Sequence, residues 1–245
     1  MVLYSSMSRF SSTPTWNYYQ VDLAGIIELG SWRGPGSPGL RAHFHDEAQI
    51  VVVLSGSRSF HVDGSTVMVS AGQAAFIPAG MLHTPIATSD DETVCLNAYV
   101  PAADSGSSLH VFDIQRPRLS ASEISLENIL RTAAEIPLHR LPAPTVKSDK
   151  IKLGTTLAHN FRRIGEIAAS FDRSREGFSR LVTRELGIAP HAFRILLRLN
   201  RARQLLRDGQ PIAAVAADTG FSDQSHLTRL FRMTFGTTPG LYRHS

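Results

Sequence analysis

The sequence predicts two domains of different class, an all-β barrel or sandwich followed by an all-α region. Three observations predict this. The first half breaks into short apolar runs, rich in β-branched residues and separated by Gly and Pro, which is the pattern of many short strands. The second half contains a repeat. Residues 178–193 read F-S-R-L-V-T-R-E-L-G-I-A-P-H-A-F and residues 227–242 read L-T-R-L-F-R-M-T-F-G-T-T-P-G-L-Y. Arg180, Leu181, Gly187 and Pro190 match Arg229, Leu230, Gly236 and Pro239, so one small helical unit is used twice. The third observation is charge. From Lys150 onward there are 16 Lys plus Arg against 7 Asp plus Glu, whereas the preceding residues carry 9 against 14. A basic half beside an acidic half marks a nucleic-acid-binding module joined to a domain that does not touch phosphate.

The elements follow in order. Residues 1–15 are polar, Ser-rich and aperiodic, and read as a flexible arm. The barrel domain is expected over 16–115. Within it Ile50–Leu54 is a continuous apolar run fit for a strand buried on both faces. Phe60, Val62, Val67 and Val69 flank Asp63-Gly64, a dipeptide that favours a tight hairpin because both residues accept positive φ. Cys95 is the only cysteine, so neither an intrachain disulfide nor a zinc finger can form. No apolar segment is long enough for a signal peptide or a bilayer span, and a cytoplasmic protein with no membrane partner is expected.

Histidine spacing marks a site in this half. His43, His45, Gln49 and Gly56 form H-x-H-x3-Q-x6-G, and Gly72, Pro78, Gly80 and His83 form G-x5-P-x-G-x2-H. On a strand, His43 and His45 point to one face. The two motifs resemble the cupin signatures, a resemblance covering about residues 36–90 that implies an antiparallel jelly-roll barrel. Carried over, His43, His45, Gln49 and His83 line an effector pocket or hold a divalent metal. Gln49 replaces the usual acidic ligand and Ala87 stands where Asn is usual, so no cofactor is expected.

Residues 116–148 read as one amphipathic helix (Ile124, Ile129, Leu130, Ala133, Ala134) and a Pro-containing linker, suited either to packing within the chain or to homodimerisation. Residues 149–245 form the helical domain. Ile212, Val215, Ala216 and Ala217 make a short helix, Gly220 permits a left-handed turn, and Ser222 is the expected N-cap of the next helix. That helix turns Leu227, Leu230 and Phe231 inward and Gln224, Ser225, Thr228 and Arg229 outward, which is a helix-turn-helix pattern. The earlier copy has Ile164, Ile167, Ala168 and Ala169, then Asp172 at the turn and an outer face of Glu176, Ser179 and Arg180. A helix from Ala192 to about Arg207, with Ile195, Leu199, Ala202 and Leu206 inward, spans ~24 Å between the two units.

Residues 212–243, with G-I-A-P-H-A-F-R at 187–194 and L-N-R-A-R-Q-L-L at 199–206, resemble the AraC/XylS family of bacterial transcription regulators. The resemblance implies a cupin-like effector domain, a double helix-turn-helix domain, and DNA reading through Glu176, Ser179, Arg180, Gln224, Ser225, Thr228 and Arg229. It implies double-stranded promoter DNA, a small-molecule effector and RNA polymerase as partners, and no catalysis. The alternative is a metal-dependent cupin enzyme fused to a DNA-binding domain.

Overall fold

The computed structural model describes residues 14, 16–23, 25–101, 108–114, 153–154, 156–157 and 163–243. The arm (apart from Pro14) and the connector predicted at 116–148 lie outside the described residues. So does Asn160, in the segment before the first helix-turn-helix.

Nine strands form the first domain: β1 (Asn17–Leu23), β2 (Ile26–Gly34), β3 (Ala48–Ser55), β4 (Ser57–Val62), β5 (Ser65–Ser70), β6 (Gln73–Ile77), β7 (Thr84–Ile86), β8 (Thr93–Val100) and β9 (His110–Asp113). Six of them make an antiparallel sheet in the order β1-β2-β8-β3-β6-β9, and three make a second sheet in the order β5-β4-β7. The alternation of side chains divides β3 between two cores. Val51 and Val53 join a cluster with Phe60, Val69, Ala75 and Tyr99, while Ile50, Val52 and Leu54 join one with Phe76, Leu96 and Ala98. Both faces of β3 are therefore buried, as its continuous apolar run requires.

Turn chemistry fixes the register. Val62 pairs with Ser65 across Asp63 (φ 46°) and Gly64 (φ 80°), a two-residue hairpin with both central residues left-handed. Gly56 has no substitute. Its φ is +69°, and a Cβ there would lie 2.5 Å from Thr93 Oγ1 and 2.6 Å from the Glu92 carbonyl oxygen.

The second domain is helical: α1 (Ile164–Ala169), α2 (Arg175–Leu186), α3 (Pro190–Arg207), α4 (Ile212–Asp218), α5 (Gln224–Phe235) and α6 (Pro239–Arg243). The repeat is structural as well as sequential. Ser174 caps α2 by accepting from Gly177 N, and Asp223 caps α5 by accepting from His226 N. Asp223 thus takes the capping role expected of Ser222, whose hydroxyl instead donates to Asp223 Oδ2. Gly187 and Gly236 end α2 and α5 with φ of +74° and +77°, and Pro190 and Pro239 open the helices that follow. Asp172 (φ +52°) and Gly220 (φ +74°) make the left-handed turns within the two units. The 18 residues of α3 span ~27 Å. Leu199, Ala202 and Leu206 are fully buried on it, whereas Ile195 is only half-buried and Leu196 takes its place in the core.

Candidate functional site

The helices α2 and α5 each bury one stripe and expose the other. On α5, Leu227, Leu230, Phe231, Thr234 and Phe235 are buried; Gln224, Ser225 and Arg229 are exposed and Thr228 is half-buried. On α2, Phe178 and Val182 are buried; Glu176 and Arg180 are exposed and Ser179 is half-buried. The seven residues predicted to read DNA therefore lie on outward or border positions of two capped helices. Leu199 and Leu206 of α3, between the two units, are fully buried. Each N-terminal turn keeps backbone N–H groups free of intrahelical partners, a ready contact for phosphate.

In the barrel, His43, His45 and His83 converge. His43 and His83 form a reciprocal backbone bridge, each N–H donating to the other's carbonyl at 2.9 Å. Ring centroids are 4.4 Å apart for His43–His83 and 4.8 Å for His43–His45. One ring nitrogen of each of the three lies within 4.8 Å of those of the others, and all three residues are buried. Gln49 is also buried, with Oε1 unpartnered among the described residues, and shares the inner face of β3 with Val51 and Val53.

Hydrogen bonds decide which nitrogens are bare. His43 Nδ1 lies 2.7 Å from the Arg41 carbonyl and His83 Nδ1 lies 3.0 Å from the Met81 carbonyl. A carbonyl only accepts, so both Nδ1 atoms carry the proton and both Nε2 atoms keep a lone pair. His45 is the reverse. Arg203 Nη1 donates to its Nδ1 at 2.7 Å, so the neutral ring carries its proton on Nε2. The cluster presents two lone pairs and one N–H, beside a permanent guanidinium charge. A three-histidine metal site uses one lone pair from each ring, so the cluster in this arrangement, with the His45 Nδ1 lone pair taken by Arg203, does not fit the metal that cupin barrels imply.

The source of Arg203 is the feature the sequence reading missed. Arg203 belongs to α3, in the DNA-binding domain, and is 1 % exposed. It enters the barrel mouth, donating from Nη2 to Glu28 Oε1 at 2.7 Å and stacking on Tyr99, Phe235 and Tyr242. Arg207 bridges Glu28 (3.1 Å) and Glu47 (2.6 Å), and Tyr242 Oη donates to Glu28. Asn200 Nδ2 donates to the Phe44 carbonyl, Tyr18 Oη to the Phe235 carbonyl and Gln20 Nε2 to the Arg207 carbonyl. Burial alone would raise the Glu47 carboxyl, but Arg203 and Arg207 hold it below the usual carboxylate range. A signal was present in the sequence. Leu196, Asn200, Arg203 and Arg207 recur at spacings of four, three and four, a second stripe beside Leu199, Ala202 and Leu206.

Burial lowers the basicity of all three histidines. For His43 the charge of His83 adds to burial, for His45 that of Arg203 does, and burial pushes His83 down to about 4. A ring whose basicity falls on folding stabilises the fold above its unfolded pKa of about 6.5, and that contribution is lost as pH falls toward the folded value. Between pH 6.5 and 4 His83 alone loses about 3 kcal/mol. Urea unfolding at pH 7, 6 and 5 should show stability falling at each step, with a shallower fall in His83→Gln. Equal stability at the three values would refute the buried neutral cluster.

Comparison with known proteins agrees with this architecture. Residues 167–245 match the helix-turn-helix domain family and residues 34–99 match the cupin domain family, together more than half of the chain. The probable transcriptional regulator LumQ of Photobacterium leiognathi is 25% identical over 229 residues, covering 82% of this chain and 91% of LumQ. The HTH-type transcriptional regulator NimR of Escherichia coli is 24% identical over 221 residues, covering 82% of this chain and 81% of NimR. The crystal structure of ToxT from Vibrio cholerae shares the fold, with a TM-score of 0.54 at 10% identity over 88% of this chain and 96% of ToxT. A second ToxT structure, bound to an unsaturated fatty acid, gives 0.52 at 12% identity over 97% of each chain. A β-barrel closed by a double helix-turn-helix defines a DNA-binding transcription regulator. This chain belongs to the AraC/XylS family. No helix among the described residues is long and apolar enough to cross a membrane.

Proposed function

We propose that the chain reads duplex promoter DNA through Gln224, Ser225, Thr228 and Arg229 on α5 and through Glu176, Ser179 and Arg180 on α2. A small effector in the barrel controls that reading through the Arg203 and Arg207 junction, and the outcome is passed to RNA polymerase. The reading assigns no catalytic step. One observation carries it: α3, the helix joining the two readers, also delivers Arg203 into the barrel mouth. Any change in the barrel that moves Glu28 or His45 therefore acts on the element that connects the two reading helices. The fatty acid in the ToxT structure supports an effector in a protein of this fold. A homodimer through residues 116–148 would place two such readers on one operator.

Arg180 and Arg229 occupy equivalent positions in the repeat and neither has an acidic partner within 4 Å among the described residues. That leaves both guanidinium forks available to guanine edges or phosphates. Duplexes selected from a random pool by the purified chain supply the test. Arg229→Ala should weaken binding to the selected duplex by about 1–3 kcal/mol, and affinity of the parent should fall steeply with salt as counterions are released. Unchanged affinity in the variant, or a flat salt response, would remove α5 from the groove.

A further inference from the structure

The barrel holds a second buried arginine, in a different state from Arg203. Arg58 on β4 is 1 % exposed. Its Cζ lies 5.1 Å from the Trp16 ring centroid and 5.2 Å from that of Phe60. Aromatic rings cover the faces of a guanidinium but offer no acceptor to the N–H groups in its plane. For Arg203 those groups reach Glu28, His45 and Tyr242. For Arg58, Nε and Nη1 have no hydrogen-bond partner among the described residues. The described carboxylates nearest the mouth, Glu28 and Glu47, are already taken by Arg203 and Arg207.

A guanidinium keeps its charge in proteins, so Arg58 places inside the barrel a cation and three N–H donors that no described residue pairs with. Buried charges are ordinarily paired, and an exception calls for an explanation, of which a bound counter-ion or ligand is one. The surroundings define that ligand. Trp16, Trp32, Val51, Val53, Phe60 and Val69 belong to the same buried cluster, so its body is apolar. The other buried guanidinium, Arg203, is already paired with Glu28, so the single unpaired cation calls for one negative charge; a dianionic phosphate would leave excess charge among apolar walls.

We propose that Arg58 anchors the effector, and that the effector is an organic monocarboxylate with an apolar body. The carboxylate accepts from Arg58, and the body lies against Phe60 and under Trp16. Trp16 is also the ring nearest to the cap of α5, since a Cβ on Gly236 would lie 2.3 Å from its Cδ1. A carboxylate seated at Arg58 thus bears on a side chain that touches a DNA-reading helix. The inference rests on the effector reading above and gives it a chemical class.

The test uses the full chain with acetate, benzoate and octanoate as probes, each against chloride at equal ionic strength. At least one carboxylate should raise the melting temperature of the parent chain. Arg58→Met should abolish that rise. It should also leave the ligand-free melting temperature equal or higher, because it removes an unpaired buried charge. The proposal is overturned if all three carboxylates behave as chloride does, if the rise persists in Arg58→Met, or if Arg58→Met lowers the ligand-free melting temperature as a core truncation would. Binding of the selected duplex is measured in parallel. Retained DNA binding with no carboxylate response discards Arg58 as the anchor and leaves the regulator reading intact. Loss of specific DNA binding in the parent chain discards the regulator reading itself.

Discussion

Arg203→Met is expected to destabilise the folded chain by about 3–5 kcal/mol, because removing one partner of a buried ion pair strands the other. Glu28 is 1 % exposed and would lose its 2.7 Å partner while keeping Arg207 and Tyr242. His45 would lose its only described hydrogen bond. Most of the loss should fall at the junction, because neither domain core depends on the Arg203 charge. The variant should therefore unfold in two steps where the parent unfolds in one, and proteolysis should separate the domains sooner. The double variant Arg203→Met with Glu28→Gln should recover part of the stability, since it removes the stranded carboxylate. A single variant as stable as the parent, or a double variant that loses the sum of the two single losses, would show that the pair does not hold the domains together. A metal readout gives a second check. Without Arg203, His45 is free to carry its proton on Nδ1 and present Nε2, so the variant should bind cobalt(II) more tightly than the parent does.

Much of this architecture was legible in the sequence, and what was not has physical reasons. Local chemistry wrote the strand run Ile50–Leu54, the Asp63-Gly64 hairpin and the glycine caps at 187 and 236, because each depends on neighbours a few residues away. The grouping of His43, His45 and His83 was suggested by the resemblance to the two cupin motifs and not by spacing alone. His43 and His45, expected on a strand, lie just ahead of β3, and an isolated bridge from His43 to His83 brings the two motifs together. The cap of α5 was misread by one residue. Ser222 and Asp223 are both good capping residues, and only the backbone shows that Asp223 accepts from His226 N. The domain junction was not read at all. An arginine on a helix is normally exposed, and the partners of Arg203 lie 175 and 158 residues away, at Glu28 and His45. No local pattern encodes such a pairing. Only the spacing from Leu196 to Arg207 hinted that this arginine faced inward.

Gly236→Ala should cost clearly more than the same change at its counterpart in the repeat, Gly187, and the comparison isolates the reason. Gly187 and Gly236 end equivalent helices with nearly equal φ, +74° and +77°. Alanine at either site pays the same left-handed penalty, about 1–2 kcal/mol. The contacts differ. At Gly187 the new Cβ would meet Leu82 Cδ2 at 3.2 Å, the free end of a half-buried side chain that can rotate away. At Gly236 it would meet Trp16 Cδ1 at 2.3 Å. Trp16 is 2 % exposed and held by Tyr18, Trp32 and Arg58, so the ring has nowhere to go. Overpacking of this kind adds about 1–3 kcal/mol. Gly236→Ala should therefore lose about 2–5 kcal/mol, and Gly187→Ala about 1–2. The excess should vanish in a Trp16→Ala background, where the two alanines become equivalent. Paired urea titrations of the four variants would measure it. Equal losses for Gly187→Ala and Gly236→Ala in the parent background would mean that Trp16 does not press on the end of α5.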